Sequence, residues 1–166
     1  MNWFDRMRSG LRTRSKRDVP EGLWSQCKRC GNSIYQNALE RNHWICTECG
    51  SHFRIGHGQY LELLADNGTF EEINANLKAG DPLRFRDKKS YPDHIRAGQK
   101  ATGLNESIFT GLANIGGHPV ALGIMNFSFI GGSLGGATGE KIARLIDRAI
   151  ADQRSLILVC QSGGAR

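Results

Sequence analysis

A chain of 166 residues has room for one domain and a small module, and with 39% hydrophobic residues it can bury a core. No apolar run approaches the roughly 20 residues that span a bilayer, and the N-terminus lacks the unbroken apolar stretch of a secretory signal. A formal net charge of +6 and an isoelectric point near 9.3 leave nucleic acid, anionic lipid and phosphorylated cofactors open as partners.

The charge is concentrated at the start. Residues 1–19 set Arg6, Arg8, Arg12, Arg14, Lys16 and Arg17 against Asp5 and Asp18, which is +4 of the +6 total. Trp3, Phe4, Met7 and Leu11 fall on one helical face. A solvated basic tail with one docking helix is favoured here over a membrane-surface helix or an organelle transit peptide. Pro20-Glu21-Gly22 closes this segment, 1–22.

Residues 23–54 read as a zinc ribbon. Cys27-Lys28-Arg29-Cys30 and Cys46-Thr47-Glu48-Cys49 are two Cys-x-x-Cys pairs with fifteen residues between them. Each pair can fold into a knuckle that points two sulfurs at one place, and two knuckles make the tetrahedral shell of a structural Zn²⁺. Gly31 and Gly50 follow the second cysteine of each pair, where the chain must turn. Two disulfides or four free thiols are the plainer alternative. Without a signal peptide, the pairs favour a reducing, cytoplasmic setting and a metal. His43 and His52 lie nearby, but four sulfurs already fill the shell. A closed site holds structure and does no chemistry. Ile34-Tyr35 and His43-Trp44-Ile45 are β-prone and are expected as the ribbon's strands.

Residues 55–105 form a helical connecting region. Tyr60, Leu61, Leu63 and Leu64 begin a short helix that Asn67-Gly68 stops. Gly80-Asp81-Pro82 reads as a turn. Ser90-Tyr91-Pro92-Asp93 reads as a helix start and Gly103 as its end.

The texture changes in 106–166. Ser107 to Ile115 and Pro119 to Phe127 are β-prone runs joined by Gly116-Gly117-His118, a hairpin. The second run is apolar enough for burial on both faces. Gly131 to Gly139 is a glycine-rich loop before a helix whose buried face is read as Ile142, Leu145, Ile146, Ala149 and Ile150. Leu156 to Cys160 reads as a buried strand that runs into Gln161-Ser162-Gly163-Gly164-Ala165-Arg166. The order suggests an α/β layer architecture. A domain rarely stops at the turn after a central strand, so the chain is expected to be truncated there.

The glycine loops are the candidates for chemistry. The 131–139 loop has neither a Gly-x-Gly-x-x-Gly register nor a Gly-Lys-Ser/Thr ending, so packing or a shaped acyl pocket is favoured over a nucleotide loop. Glycines after a strand expose backbone N–H groups, and two such groups can stabilise an oxyanion or enolate; losing one costs roughly 3 kcal/mol of transition-state stabilisation. Gly163 and Gly164 are read this way, against the alternative of a plain turn. Cys160 has no activating histidine in an obvious motif and reads as a buried structural thiol.

Met1-Asn-Trp-Phe through Pro20-Glu-Gly-Leu-Trp24, the four-cysteine ribbon, Leu83-Arg-Phe-Arg-Asp87, Phe129-Ile-Gly-Gly-Ser-Leu-Gly135 and Ser162-Gly-Gly-Ala-Arg166 together resemble the β-subunit family of bacterial-type, multi-subunit acetyl-CoA carboxylase carboxyltransferases. The resemblance covers essentially the whole chain, in register. It implies a crotonase-like ββα superhelix, here partial, behind the ribbon. It implies carboxyl transfer from carboxybiotin to acetyl-CoA, giving malonyl-CoA for fatty acid synthesis. The implied partners are the α subunit, the biotin carboxyl carrier protein with its biotin, and biotin carboxylase. Gly163 and Gly164 would be catalytic. Phe129, Gly131, Gly132, Ala165 and Arg166 would bind substrate, Arg166 reaching a CoA phosphate unless it makes an ordinary salt bridge. Family members continue past residue 166 to a further glycine pair, so this chain alone is expected to be inactive.

The rival reading is a basic ribbon that binds RNA or DNA. Lys28, Arg29, Arg41 and Arg54 surround the cysteines, with Tyr35, Trp44 and Phe53 as stacking candidates. A buried sheet with glycine turns is more than a simple binder needs.

Overall fold

The computed structural model describes residues 22–166; the basic segment and its apolar face through Trp3, Phe4, Met7 and Leu11 lie outside them. The chain divides into two compact units at Arg54/Ile55.

In the first unit, β1 (Trp24–Gln26) pairs antiparallel with β2 (Ser33–Tyr35), and α1 (Gln36–Arg41) follows at once. The core is Cys27, Ile34, Leu39 and Cys46, flanked by Ala38, Trp44, Cys49 and Phe53. One expectation needs correction. His43 and Trp44 are not strand residues but take left-handed φ of 51° and 61°, in the turn after α1. Only Ile45 pairs, in a single antiparallel bridge to His52. The helix-forming run Ala38-Leu39-Glu40-Arg41 takes the space a longer strand would need.

The second unit is a four-stranded sheet of order β3-β4-β5-β6. β4 (Ile108–Ile115) and β5 (His118–Met125) form the expected hairpin, with Ile115 opposite His118. Gly116 and Gly117, at φ 58° and 79°, make the two-residue turn whose twist suits a hairpin. β5 is buried from Val120 through Met125. β3 (Glu71–Ile73), not foreseen from sequence, adds antiparallel to β4. β6 (Ser155–Val159) adds parallel to β5 after the crossover helix α4 (Gly136–Ala151). β4, β5 and α4 thus make a ββα unit.

Both faces of the sheet are covered. Leu112 and Ala121 pack against Leu145 and Ala149 of α4. On the other side Ala113, Val120, Leu122 and Ile124 meet Tyr60, Leu61 and Ala65 from α2 (His57–Leu64) and its end. The helix α3 (Tyr91–Thr102) has the expected caps: Ser90 Oγ accepts from Asp93 N–H, and Gly103 closes it at φ 71°.

Three burial readings change. The inner face of α4 is Ala137, Thr138, Lys141, Leu145 and Ala149, while Ile146 and Ile150 are exposed. β6 has a partner on one side only among the described residues, and Leu156 and Leu158 are exposed despite the strand's apolar run. Cys160 is exposed too, not the buried thiol expected. No helix of the described residues is long and apolar enough to cross a membrane.

Candidate active site and metal centre

The thiols of Cys27, Cys30, Cys46 and Cys49 all lie within 4.8 Å of one another. Cys27 Sγ is 3.7 Å from Cys49 Sγ, and Cys30 Sγ is 3.8 Å from Cys46 Sγ. A tetrahedral ion with bonds of about 2.3 Å needs sulfur–sulfur edges of about 3.8 Å, so the cluster fits zinc. The two knuckles are built alike. The Cys27 N–H donates to the Asn32 carbonyl and the Gly31 N–H to the Cys27 carbonyl; Cys46 with Ser51, and Gly50 with Cys46, repeat the pattern. The amides of Cys30 and Arg29 pull the Cys27 thiol down to about 6. Cys49 is pushed up to about 12: the Ser51 amide favours its thiolate, but burial and the other three sulfurs outweigh it. Four sulfurs this close do not all ionise unaided, and a cation makes the set stable. His43 and His52 are exposed and stand outside the cluster.

A second site lies in the other unit, where the loops leaving β5 and β6 meet. Ligands in parallel α/β sheets bind beyond the carboxyl ends of the strands, and these loops occupy that position. The first loop is strained. Ile130, Gly131 and Gly132 run left-handed at φ 49°, 64° and 65°. A β-branched residue there is an outlier, costing roughly 1–3 kcal/mol, and the surroundings must hold it. Phe129 before it is fully buried.

The second loop, 161–166, is laced to the first. The Gly163 N–H donates to the Gly131 carbonyl at 2.9 Å, the Leu134 N–H to the Gly164 carbonyl at 2.9 Å, and the Arg166 N–H to the Leu134 carbonyl at 2.8 Å. Gln161 also touches β5, its Nε2 donating to the Met125 carbonyl at 3.0 Å. The approach is so close that a Cβ on Gly132 would lie 1.9 Å from the Gln161 carbonyl oxygen. Glycine is therefore required by contact as well as by φ.

The Arg166 side chain ties the two loops together a second time. Its guanidinium donates to the Ser133 carbonyl and, at 3.0 Å, to Ser133 Oγ; its Nε donates to the Tyr91 hydroxyl at 3.2 Å; its Cζ lies over the Phe129 ring, 5.5 Å from the centroid. Its remaining nitrogen pairs with Glu106 Oε1, and both side chains are buried. The Ser133 carbonyl also accepts from Ser107 Oγ at 2.9 Å, and Ser107 Oγ sits 3.0 Å from Thr138 Oγ1 in the first turn of α4.

The amides picked from sequence are engaged in this conformation. The Gly164 N–H donates to Ser162 Oγ at 3.0 Å and the Gly163 N–H bridges the loops. Gly163, Gly164 and Ala165 are exposed, whereas Gly132 is buried and Gly131 half-buried.

Residues 62–166 match the carboxyl transferase domain model, and residues 24–49 match the acetyl-CoA carboxylase zinc finger domain. The chain belongs to the carboxyl transferase family. It is 43% identical, over its full length, to the acetyl-coenzyme A carboxylase carboxyl transferase subunit beta of Chlorobium limicola, and spans 60% of that relative. With the same subunit of Parasynechococcus marenigrum it shares 44% identity over 99% of its length, spanning 57% of that protein. Among solved structures it is similar to a transcarboxylase 12S crystallised with methylmalonyl-coenzyme A, at 25% identity and TM-score 0.53; the match covers 68% of this chain and 20% of that one. The fold is thus a four-cysteine zinc ribbon and part of a crotonase-like carboxyl transferase domain.

The structure brings Phe129, Gly131, Gly132, Gly163, Gly164, Ala165 and Arg166 together. Three further residues of this locus went unforeseen: Glu106, Tyr91 and Ser133. The signal for Glu106 is weak in sequence, a lone acid before an apolar strand.

Proposed function

We propose that this chain provides the β-subunit share of the carboxyltransferase of a multi-subunit acetyl-CoA carboxylase. It acts in the cytoplasm, with an α subunit completing the site. The acceptor is acetyl-CoA and the product malonyl-CoA. Biotin, delivered on its carrier protein after loading by biotin carboxylase, supplies the carboxyl group and a base for the methyl proton. The chain's own residues orient the thioester and stabilise charge on its oxygen as the enolate forms.

In this reading Gly163 and Gly164 form one wall of the acyl pocket, and Phe129 to Gly132 the neighbouring one. The Gly164 amide is the available donor: its partner is the exposed hydroxyl of Ser162, which a substrate oxygen displaces by rotation of that side chain. The Gly163 amide is committed to the Gly131 carbonyl and fixes the gap between the walls. No general base is needed among the side chains, in keeping with the scarcity of acid–base groups along the two loops. Zinc, on the four cysteines, holds the ribbon.

The lacing of two glycine loops beyond the ends of β5 and β6, on a carboxyl transferase chain, carries this reading. The test is malonyl-CoA formation from acetyl-CoA and carboxylated carrier protein by the natural polypeptide assembled with its α partner. Product that depends on both subunits supports it; no product from a folded, zinc-loaded assembly overturns it.

A second reading concerns the ribbon alone. Trp24 and Tyr35 pack edge to face at 5.5 Å and remain 58% and 38% exposed, and Tyr35 lines a cleft with Arg41. Exposed aromatics with cations suit nucleic acid. Binding of single-stranded RNA with a log–log salt slope of several units would support it.

A further inference from the structure

We propose that Glu106 is the positioning residue of the acyl site: its buried carboxylate fixes the Arg166 guanidinium, and through it the distance between the two glycine loops. This rests on the reading of those loops as the acyl pocket.

Glu106 is 1% exposed and lies two residues before β4, away from both loops in sequence. A carboxylate so placed is costly unless charge and hydrogen bonds answer it. Oε1 is answered twice, by the Ser107 N–H at 2.8 Å and by Arg166. Oε2 has no hydrogen-bond partner. It belongs to a residue lining a cavity of about 320 Å³, together with Lys141, Glu72, Asn105 and His57. Lys141 is 2% exposed, and its Nζ donates to the Ile108 carbonyl at 3.2 Å. Positive charge therefore reaches Glu106 from two elements: Arg166 at the loops and Lys141 on α4.

The consequence follows from what Arg166 touches. With Glu106 anchoring one nitrogen, the planar fork can aim only one way. That aim puts Nη1 on the Ser133 carbonyl, next to Leu134, whose carbonyl accepts the Arg166 backbone N–H. Every other nitrogen of the guanidinium is held by protein groups, so Arg166 acts on substrate through the turn it holds. Gly135 leaves room for this: a Cβ there would sit 2.7 Å from the guanidinium. Removing the carboxylate frees the fork, and misplacement of the loops by about 1 Å costs on the order of a hundred-fold in turnover.

The experiment is Glu106→Leu, which keeps the side chain's bulk and removes both acceptor oxygens from Arg166 and Ser107, made in the natural polypeptide assembled with its partner. Three readouts are taken: kcat, KM for acetyl-CoA, and amide hydrogen exchange. The expected result is a fall in kcat of about a hundred-fold, a KM within about three-fold, and faster exchange at 131–135 and 163–166 with β4 and β5 unchanged. Glu106→Asp, which keeps the charge but shortens the reach, is expected to fall between. Unchanged kcat and unchanged loop exchange in either folded variant overturn the proposal. If the wild-type assembly makes no malonyl-CoA, the functional reading fails by itself, and loop exchange still decides the role of Glu106.

Discussion

At the residue scale, the proposed acyl site depends on backbones that approach more closely than side chains allow. Gly132 is the sharpest case, with the Gln161 carbonyl where its Cβ would be. Gly131 shares the left-handed conformation but has nothing nearer than Phe127 Cζ at 4.0 Å. The two substitutions to alanine therefore separate conformational cost from contact cost. Gly131→Ala is expected to lower stability by about 1 kcal/mol, the left-handed penalty alone. Gly132→Ala is expected to cost about 3 kcal/mol and to abolish transfer, because the loops must part. Denaturant titration of both variants checks this, and equal losses would show that the close approach carries no energy.

At the element scale, α3 carries a glycine in its interior that the strained loop explains. Gly98 faces Ile130, whose Cγ1 would lie 2.9 Å from an added Cβ. Alanine at a helix interior ordinarily gains about 1 kcal/mol over glycine. Gly58 in α2 has nothing within 4 Å, so Gly58→Ala is expected to raise the melting temperature. Gly98→Ala is expected to lower it, since the added Cβ would press on Ile130 Cγ1 and Cδ1; a rise at both sites would refute the packing role. A pH effect belongs to α2 as well. The His57 ring stacks on Phe109 at 3.6 Å, and its Nδ1 accepts from Asn126 Nδ2 at 2.9 Å. Burial pushes the imidazole below its ordinary 6.5, so the native state binds the proton less well than the unfolded state. Stability then rises with pH up to about 6.5 and falls as pH drops through that window. His57→Phe keeps the stack and is expected to flatten the slope between pH 5 and 7; melting curves that stay parallel to wild type would contradict it.

The same elements show what sequence can carry. α3 and the β4–β5 hairpin are legible because their signals are local: Ser90, Pro92 and Gly103 cap a helix, and Gly116-Gly117 joins two apolar runs. The inner face of α4 is misread because Lys141 counts as polar, yet its stem is buried and only its Nζ finds a carbonyl. His43-Trp44 misleads because β propensity yields to the turn that ends α1. The two glycine loops stand out by composition, but Arg166 and Glu106 are 60 residues apart, and no local pattern joins them.

At the scale of the whole molecule, the two units are held by different means. The ribbon has a core of four buried residues, two of them cysteines, which is too little apolar area to hold it without the ion. Cys46→Ser is expected to reduce bound zinc from one per chain to near zero and to unfold residues 23–54, read by metal analysis and hydrogen exchange. Retained protection in a zinc-free ribbon would contradict the structural role. The sheet unit has its own apolar clusters on both faces.

In the proposed carboxyltransferase, acyl-CoA meets this chain at the laced glycine loops. The most direct measurement is amide hydrogen exchange on the natural, partner-assembled polypeptide with and without saturating acetyl-CoA. Protection confined to 129–135 and 161–166, with the ribbon unchanged, is the predicted result. Bound acetyl-CoA that leaves both loops exchanging as before would contradict it.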